Sequence, residues 1–149
     1  MRTLKQPGAD SMLDENGVAE AVSLYLLERG YAVSQQQTTD RSGADIIAYH
    51  PESKAKMFVS TVGIARSKAG RGKLEAAYTE SQVLRAVARG VTSALTMRTP
   101  DRFVPGDRIA VSFPDTPMFR TYLEAEKPVM DSFGIQIFLV SEDKKITML

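Results

Sequence analysis

Between Val18 and Leu26 the apolar positions Val18, Ala21, Val22, Tyr25 and Leu26 recur at helical spacing, and Glu28-Arg29-Gly30 supplies a stop. Ser11-Met12-Leu13-Asp14, just ahead, has the form of a capping box with Asp in the Glu position. The pattern predicts a first helix. The period then shortens: Tyr31 to Gln37 alternates, Ala44 to Tyr49 is a short apolar run, and Met57 to Val62 is another. These read as three strands in a meander.

Arg66 to Gly72 is rich in Gly, Lys, Arg and Ser and suits a flexible loop. Helical spacing returns with Leu74, Tyr78, Leu84, Val87, Val91 and Leu95. They predict a helix of roughly two dozen residues, ~36 Å long at about 1.5 Å per residue. Gly90 lies inside it and costs about 1 kcal/mol against alanine, which suggests that another backbone passes close by. The polar side carries Glu75, Glu80, Gln82, Arg85 and Arg89. Beyond a Pro-containing, charged connection, Arg108 to Phe113 reads as a strand, and Asp115-Thr116-Pro117 starts a helix with proline in its first turn. That helix is expected to break or kink near Pro128, where a backbone N–H is missing. Ile135 to Val140 is a β-prone run entered through Gly134, and Lys144 to Leu149 is a candidate short edge strand.

The order α-β-β-β-α-β-α-β predicts an α/β fold: a central mixed sheet with helices over both faces. At 149 residues, one domain over 14–149 with a tail at 1–13 accounts for the chain. A domain of this size buries roughly 68–70% of its unfolded surface and needs no staple.

Composition removes several chemistries. There is no cysteine, which excludes thiolate zinc sites and thiol nucleophiles and fits a cytoplasmic setting. The one histidine, His50, sits in the turn-like His50-Pro51-Glu52-Ser53 and reads as a solvated loop residue. No apolar run approaches the ~18 residues of a membrane span, so no membrane partner is expected. Charge is uneven. Lys54, Lys56, Arg66, Lys68, Arg71 and Lys73 bring six positive charges without an acid between 54 and 73, and subtracting six from the net +1 leaves the remainder at −5. Such a segment attracts phosphate or simply keeps a loop solvated.

Three stretches carry a resemblance: Gly17-Val18-Ala19-Glu20, Gly43-Ala44-Asp45-Ile46-Ile47-Ala48 and Met57-Phe58-Val59-Ser60-Thr61-Val62-Gly63. With the element order, they resemble the PD-(D/E)xK nuclease superfamily, the restriction-endonuclease-like fold, and within it archaeal Holliday-junction resolvase-like domains. In those nucleases a helix acid, an Asp opening the second strand and a Glu on the third gather around magnesium, and a Lys two residues beyond that Glu orients water. Magnesium requires converging oxygen ligands, and the period of two along a strand puts Glu and Lys on one face.

The resemblance assigns the helix acid to Glu20 and the strand acid to Asp45, with Ala44 in place of the family's proline. It assigns the Glu position to Ser60, the Lys position to Val62 and the following glycine to Gly63. Ser60 offers no carboxylate and Val62 no charge. Taken by themselves, Glu20 reads as a solvated helix acid and Asp45 as a strand-end residue capping nearby N–H groups. Family members can also supply a missing acid from the next helix, which brings in Glu75 or Glu80, with Lys73 or Lys68 in place of the lysine; an acid such as Glu75 equally suits a helix N-terminus for its dipole. Gln82 is followed four residues later by Ala86, so the Gln-x-x-x-Tyr pattern of recombination-type relatives is not present. Pro100-Asp101 and Pro114-Asp115 read as turn chemistry.

The resemblance therefore implies a nuclease-like domain, catalytically degenerate, whose 54–73 segment holds DNA phosphates through Arg66, Lys68, Arg71 and Lys73. No cofactor is expected of it. Two alternatives stand beside it: an active Mg2+-dependent endonuclease in which Glu20 and Asp45 hold the metal with Glu75 or Glu80, and a non-enzymatic homodimeric interaction module.

Overall fold

The computed structural model describes residues 15–35, 44–63, 79–98 and 104–149. The predicted capping box at Ser11 to Asp14, and Arg66, Lys68, Arg71, Lys73 and Glu75, lie outside the described residues.

Helix α1 spans Glu15–Glu28, and β1 (Ala32–Gln35), β2 (Ile46–Tyr49) and β3 (Lys56–Thr61) follow. Helix α2 (Glu80–Met97), β4 (Arg108–Pro114), α3 (Pro117–Ser132), β5 (Ile135–Val140) and β6 (Ile146–Met148) complete the order. This is the expected mixed α/β arrangement with the extra edge strand present. Helix α1 stops where the sequence puts the stop: Tyr31 N donates to Leu26 O, Gly30 N donates to Leu27 O, and Gly30 takes φ +92°. That is a Schellman cap, for which glycine carries no Cβ penalty.

All six strands form one sheet in chain order, β1-β2-β3-β4-β5-β6. The meander β1-β2-β3 is antiparallel, β3-β4 and β4-β5 are parallel, and β6 returns antiparallel to β5. The two parallel steps advance in the same direction across the sheet. Right-handed crossovers therefore put α2 and α3 on the same face, and α1 covers the other. Side chains sort by the two-residue period. Ile46, Ala48, Met57, Val59, Ala110, Phe138 and Val140 pack with α1, while Phe58, Ile109, Val111, Phe113, Ile137 and Leu139 pack with α2 and α3. Burial on both faces explains why β3, β4 and β5 read as nearly unbroken apolar runs.

Four expectations change in detail. Thr79 is an extended N-cap whose hydroxyl accepts from Gln82 N while the Gln82 side chain accepts from Thr79 N. Helix α2 thus starts at Glu80, later than the Leu74 start expected from spacing. Its buried face is Val83, Ala86, Val87, Gly90, Ala94 and Met97, so Leu84 and Leu95, expected on the core side, are exposed. At Gly90 the close neighbour is a ring, not a backbone: an added Cβ would lie 2.5 Å from Phe113 Cζ. Helix α3 continues through Pro128. The carbonyl of Glu124, which loses its donor there, lies on an exposed stretch open to solvent.

Candidate functional site

Strands β3, β4 and β5 end together at one edge of the sheet, where β2 begins, and this edge is where open α/β sheets bind ligands. Asp45 sits there, one residue ahead of β2. Its N–H donates to Val59 O at 2.8 Å, and its Oδ2 accepts from Thr61 N at 2.7 Å and from Thr61 Oγ1 at 3.2 Å. The carboxylate thus takes the place of a ladder carbonyl and closes the β2–β3 pairing, the capping role that short acids commonly fill.

Ser60 and Val62 flank this contact along β3. Ser60 is 3% exposed and Val62 2%, and Val62 belongs to the α2–α3 core together with Phe58. The Glu and Lys positions of the resemblance are therefore filled by buried side chains. Thr61, between them, points to the opposite face by strand alternation and is the residue that engages Asp45. A period-two reading of the motif passes over it.

Glu20 lies on exposed α1 and pairs with Lys144 at 2.6 Å. Lys144 is in the turn from β5 to β6, and β5 is three strand spacings, about 14 Å, from β2. The ion pair draws Glu20 away from Asp45's side of the sheet. Glu80 likewise turns away: its Oε2 accepts from Tyr122 on α3, so it occupies the flank of α2 opposite to β3. The Tyr122 hydroxyl is held above its usual pKa, chiefly by that hydrogen bond and also by burial and the negative charge of Glu80. On the other flank of α2, Arg89 donates to Gly63 O at 3.1 Å where the chain leaves β3. Among the described residues no three acidic or imidazole side chains come together. The donor set among the described residues does not fit a magnesium centre of the expected kind: one acid is engaged in the ladder, one is paired on α1, and the third position is a buried serine.

Two cations of the basic segment, Lys54 and Lys56, are among the described residues. Lys54 and Lys56 lie at the start of β3, in and after a turn in which Lys54 takes φ +68° and its N–H donates to His50 O. Thr61, at the far end of β3, is some 17 Å from Lys56 for five strand steps of about 3.3 Å, and Gly63 lies two residues beyond it. Lys54 and Lys56 therefore belong to the other edge of the sheet from the point where the chain departs toward Arg66. His50 is in this turn as expected, its ring edge-on to Tyr31 and its Nδ1 accepting from Ser53 N.

Ser112 on β4 was not singled out by the sequence. Paired in register with Thr61, it is fully buried, and its Oγ has no hydrogen-bond partner among the described residues. Asp115, beyond the end of β4, is held by Arg120 through two bonds of 2.7 and 3.0 Å. Compared with protein-family models, curated proteins and solved structures, the chain matches none.

Proposed function

We propose that this chain is a nuclease-like domain that has lost its chemistry and acts by holding nucleic-acid phosphates. The observation carrying the first half is the sealing of Ser60 and Val62 in the core beside an Asp45 carboxylate engaged with Thr61. A site of that make-up offers neither converging carboxylates nor a cation for the attacking water.

The binding half rests on the four cations Arg66, Lys68, Arg71 and Lys73, which follow β3 without an intervening acid. Lys54 and Lys56 lie at the other end of β3 from Gly63, where the chain leaves toward these four. A cysteine-free chain suits a cytoplasmic setting, and among the described residues no helix is long and apolar enough to cross a membrane.

The test is fluorescence anisotropy with linear and branched DNA across a salt series, run beside a cleavage assay with magnesium or manganese. Four phosphate contacts give a slope of log K against log salt of about −3 to −4, a loss of roughly a hundredfold between about 50 and 200 mM. Changing Arg66, Lys68, Arg71 and Lys73 to Gln together is expected to abolish that slope, with no cleavage at any point. DNA cutting that disappears in Asp45→Ala would replace this reading with the active enzyme. Absence of salt-sensitive binding would remove the nucleic-acid role.

A further inference from the structure

Five of the large apolar side chains left exposed lie on α2, on α3 or at the C-cap of α3: Leu84 at 46%, Leu95 at 47%, Met118 at 36%, Val129 at 51% and Phe133 at 46%. They are not scattered. On α2, Leu84, Ala88, Val91 and Leu95 follow a four-three-four spacing, which is one continuous stripe on a helix. The stripe lies within a quarter turn of Glu80 and Arg98, the two residues that reach α3 by bonding Tyr122 and the Phe133 carbonyl. On α3, Met118, Ala125, Val129 and Phe133 lie within a quarter turn of Tyr122. The two stripes therefore border the same groove, on the side of the parallel helix pair away from the sheet.

We infer that this two-helix face is the contact surface for a second copy of the chain, joined about a two-fold axis. Area supports it. At ~200 Å² per residue, the figure for aromatic side chains, the five exposures come to at most about 450 Å², mostly apolar. A standard interface buries about 800 Å² per partner, and homodimer interfaces are about 65% apolar, which calls for ~500 Å².

Self-complementarity supports it as well, because a two-fold contact must map one patch onto itself. A half-turn about the middle of the face brings Leu84 toward the partner's Leu95, and Met118 toward the partner's Phe133. Ala88 and Ala125 lie near the middle. Helices that cross at an angle touch most closely at the crossing point, where small residues are needed, and diverge outward, where bulky ones fill the gap. The half-turn also sets the helices antiparallel to their partners, so their dipoles oppose favourably. Glu126 is the one charged residue on this flank of α3. Its two copies approach near the axis and weaken the pair relative to what the apolar area alone implies.

The inference stands apart from the nucleic-acid reading and is tested without DNA. Sedimentation velocity of the full chain over a concentration series is expected to show a monomer–dimer equilibrium. Leu84→Glu with Val129→Glu is expected to leave only monomer with an unchanged circular dichroism spectrum, since both side chains are about half exposed. Leu24→Glu with Leu27→Glu, on the exposed side of α1, is expected to leave the dimer intact. The chain contains no cysteine. Ala125→Cys therefore supplies a single thiol that is expected to link two copies under mild oxidation, whereas Leu24→Cys is not. A wild type that stays monomeric at every concentration overturns the inference. So does a dimer that survives the α2–α3 variant and dissociates with the α1 variant.

Discussion

Gly90→Ala tests the packing of α2 on the sheet with a sign that helix propensity alone gets wrong. On an exposed helix the change stabilises by about 1 kcal/mol, because alanine loses less backbone entropy on folding. Here the new Cβ would lie 2.5 Å from Phe113 Cζ, 2.9 Å from Cε1 and 3.1 Å from Val111 Cγ2. Carbon atoms in good contact are about 3.5–4.0 Å apart, so the overlap is about 1 Å. Phe113 cannot retreat easily, being fully buried with its ring centroid 5.7 Å from that of Phe119. Over-packing of this kind costs about 1–3 kcal/mol. At the upper part of that range, where a clash with a fixed ring belongs, the offset by propensity leaves a net loss of about 1–2 kcal/mol. Urea denaturation should show a lower midpoint at unchanged m, and the melting temperature should fall by roughly 2–4 °C per kcal/mol lost. Phe113→Leu in a double-mutant cycle should recover part of the loss as a coupling energy of about 1 kcal/mol. A Gly90→Ala protein as stable as the wild type, or more so, would refute the argument.

Asp45→Ala removes the acceptor for Thr61 N–H and hydroxyl and is expected to cost about 1–3 kcal/mol in urea denaturation. If Asp45 is a strand cap, that loss is the same with and without magnesium, and calorimetry detects no Asp45-dependent metal uptake. Ser112→Ala deletes a buried hydroxyl without a partner and should stabilise by about 1 kcal/mol, read as a raised urea midpoint. Because the folded-state pKa of Tyr122 is raised, its contribution is present below the ordinary phenol pKa and is lost as pH rises through the folded value. Glu80→Gln should move the Tyr122 ionisation, isolated by difference from Tyr122→Phe in ultraviolet titration, to lower pH; an unmoved titration would mean that the pair does not form in solution.

What the linear pattern determined was the set and order of elements. Glu28-Arg29-Gly30 stops α1 because the Schellman cap is local, and the β-prone runs became β2 to β5 because the β-propensity of short apolar runs is local too. Local chemistry also contained the capping reading of Asp45, the outcome seen in its bonds to Thr61. Partnership was not local. Helix α2 carries more apolar residues than one face can bury, and periodicity cannot say which stripe meets the sheet. The Phe113 ring decided it by requiring a helix face with glycine at the point of contact, so the stripe of Gly90 went inward and that of Leu84 and Leu95 outward. In the same way, Lys54 and Lys56 at the start of β3 are separated from Gly63, where the chain leaves toward Arg66, because an extended strand carries the chain across the sheet. The flank on which Glu80 lies, the pairing of Glu20 with Lys144 and the isolation of Ser112 were likewise set by which elements became neighbours. Local sequence fixes what a segment can form; the faces it buries and the groups it brings together are settled only when the sheet and helices pack.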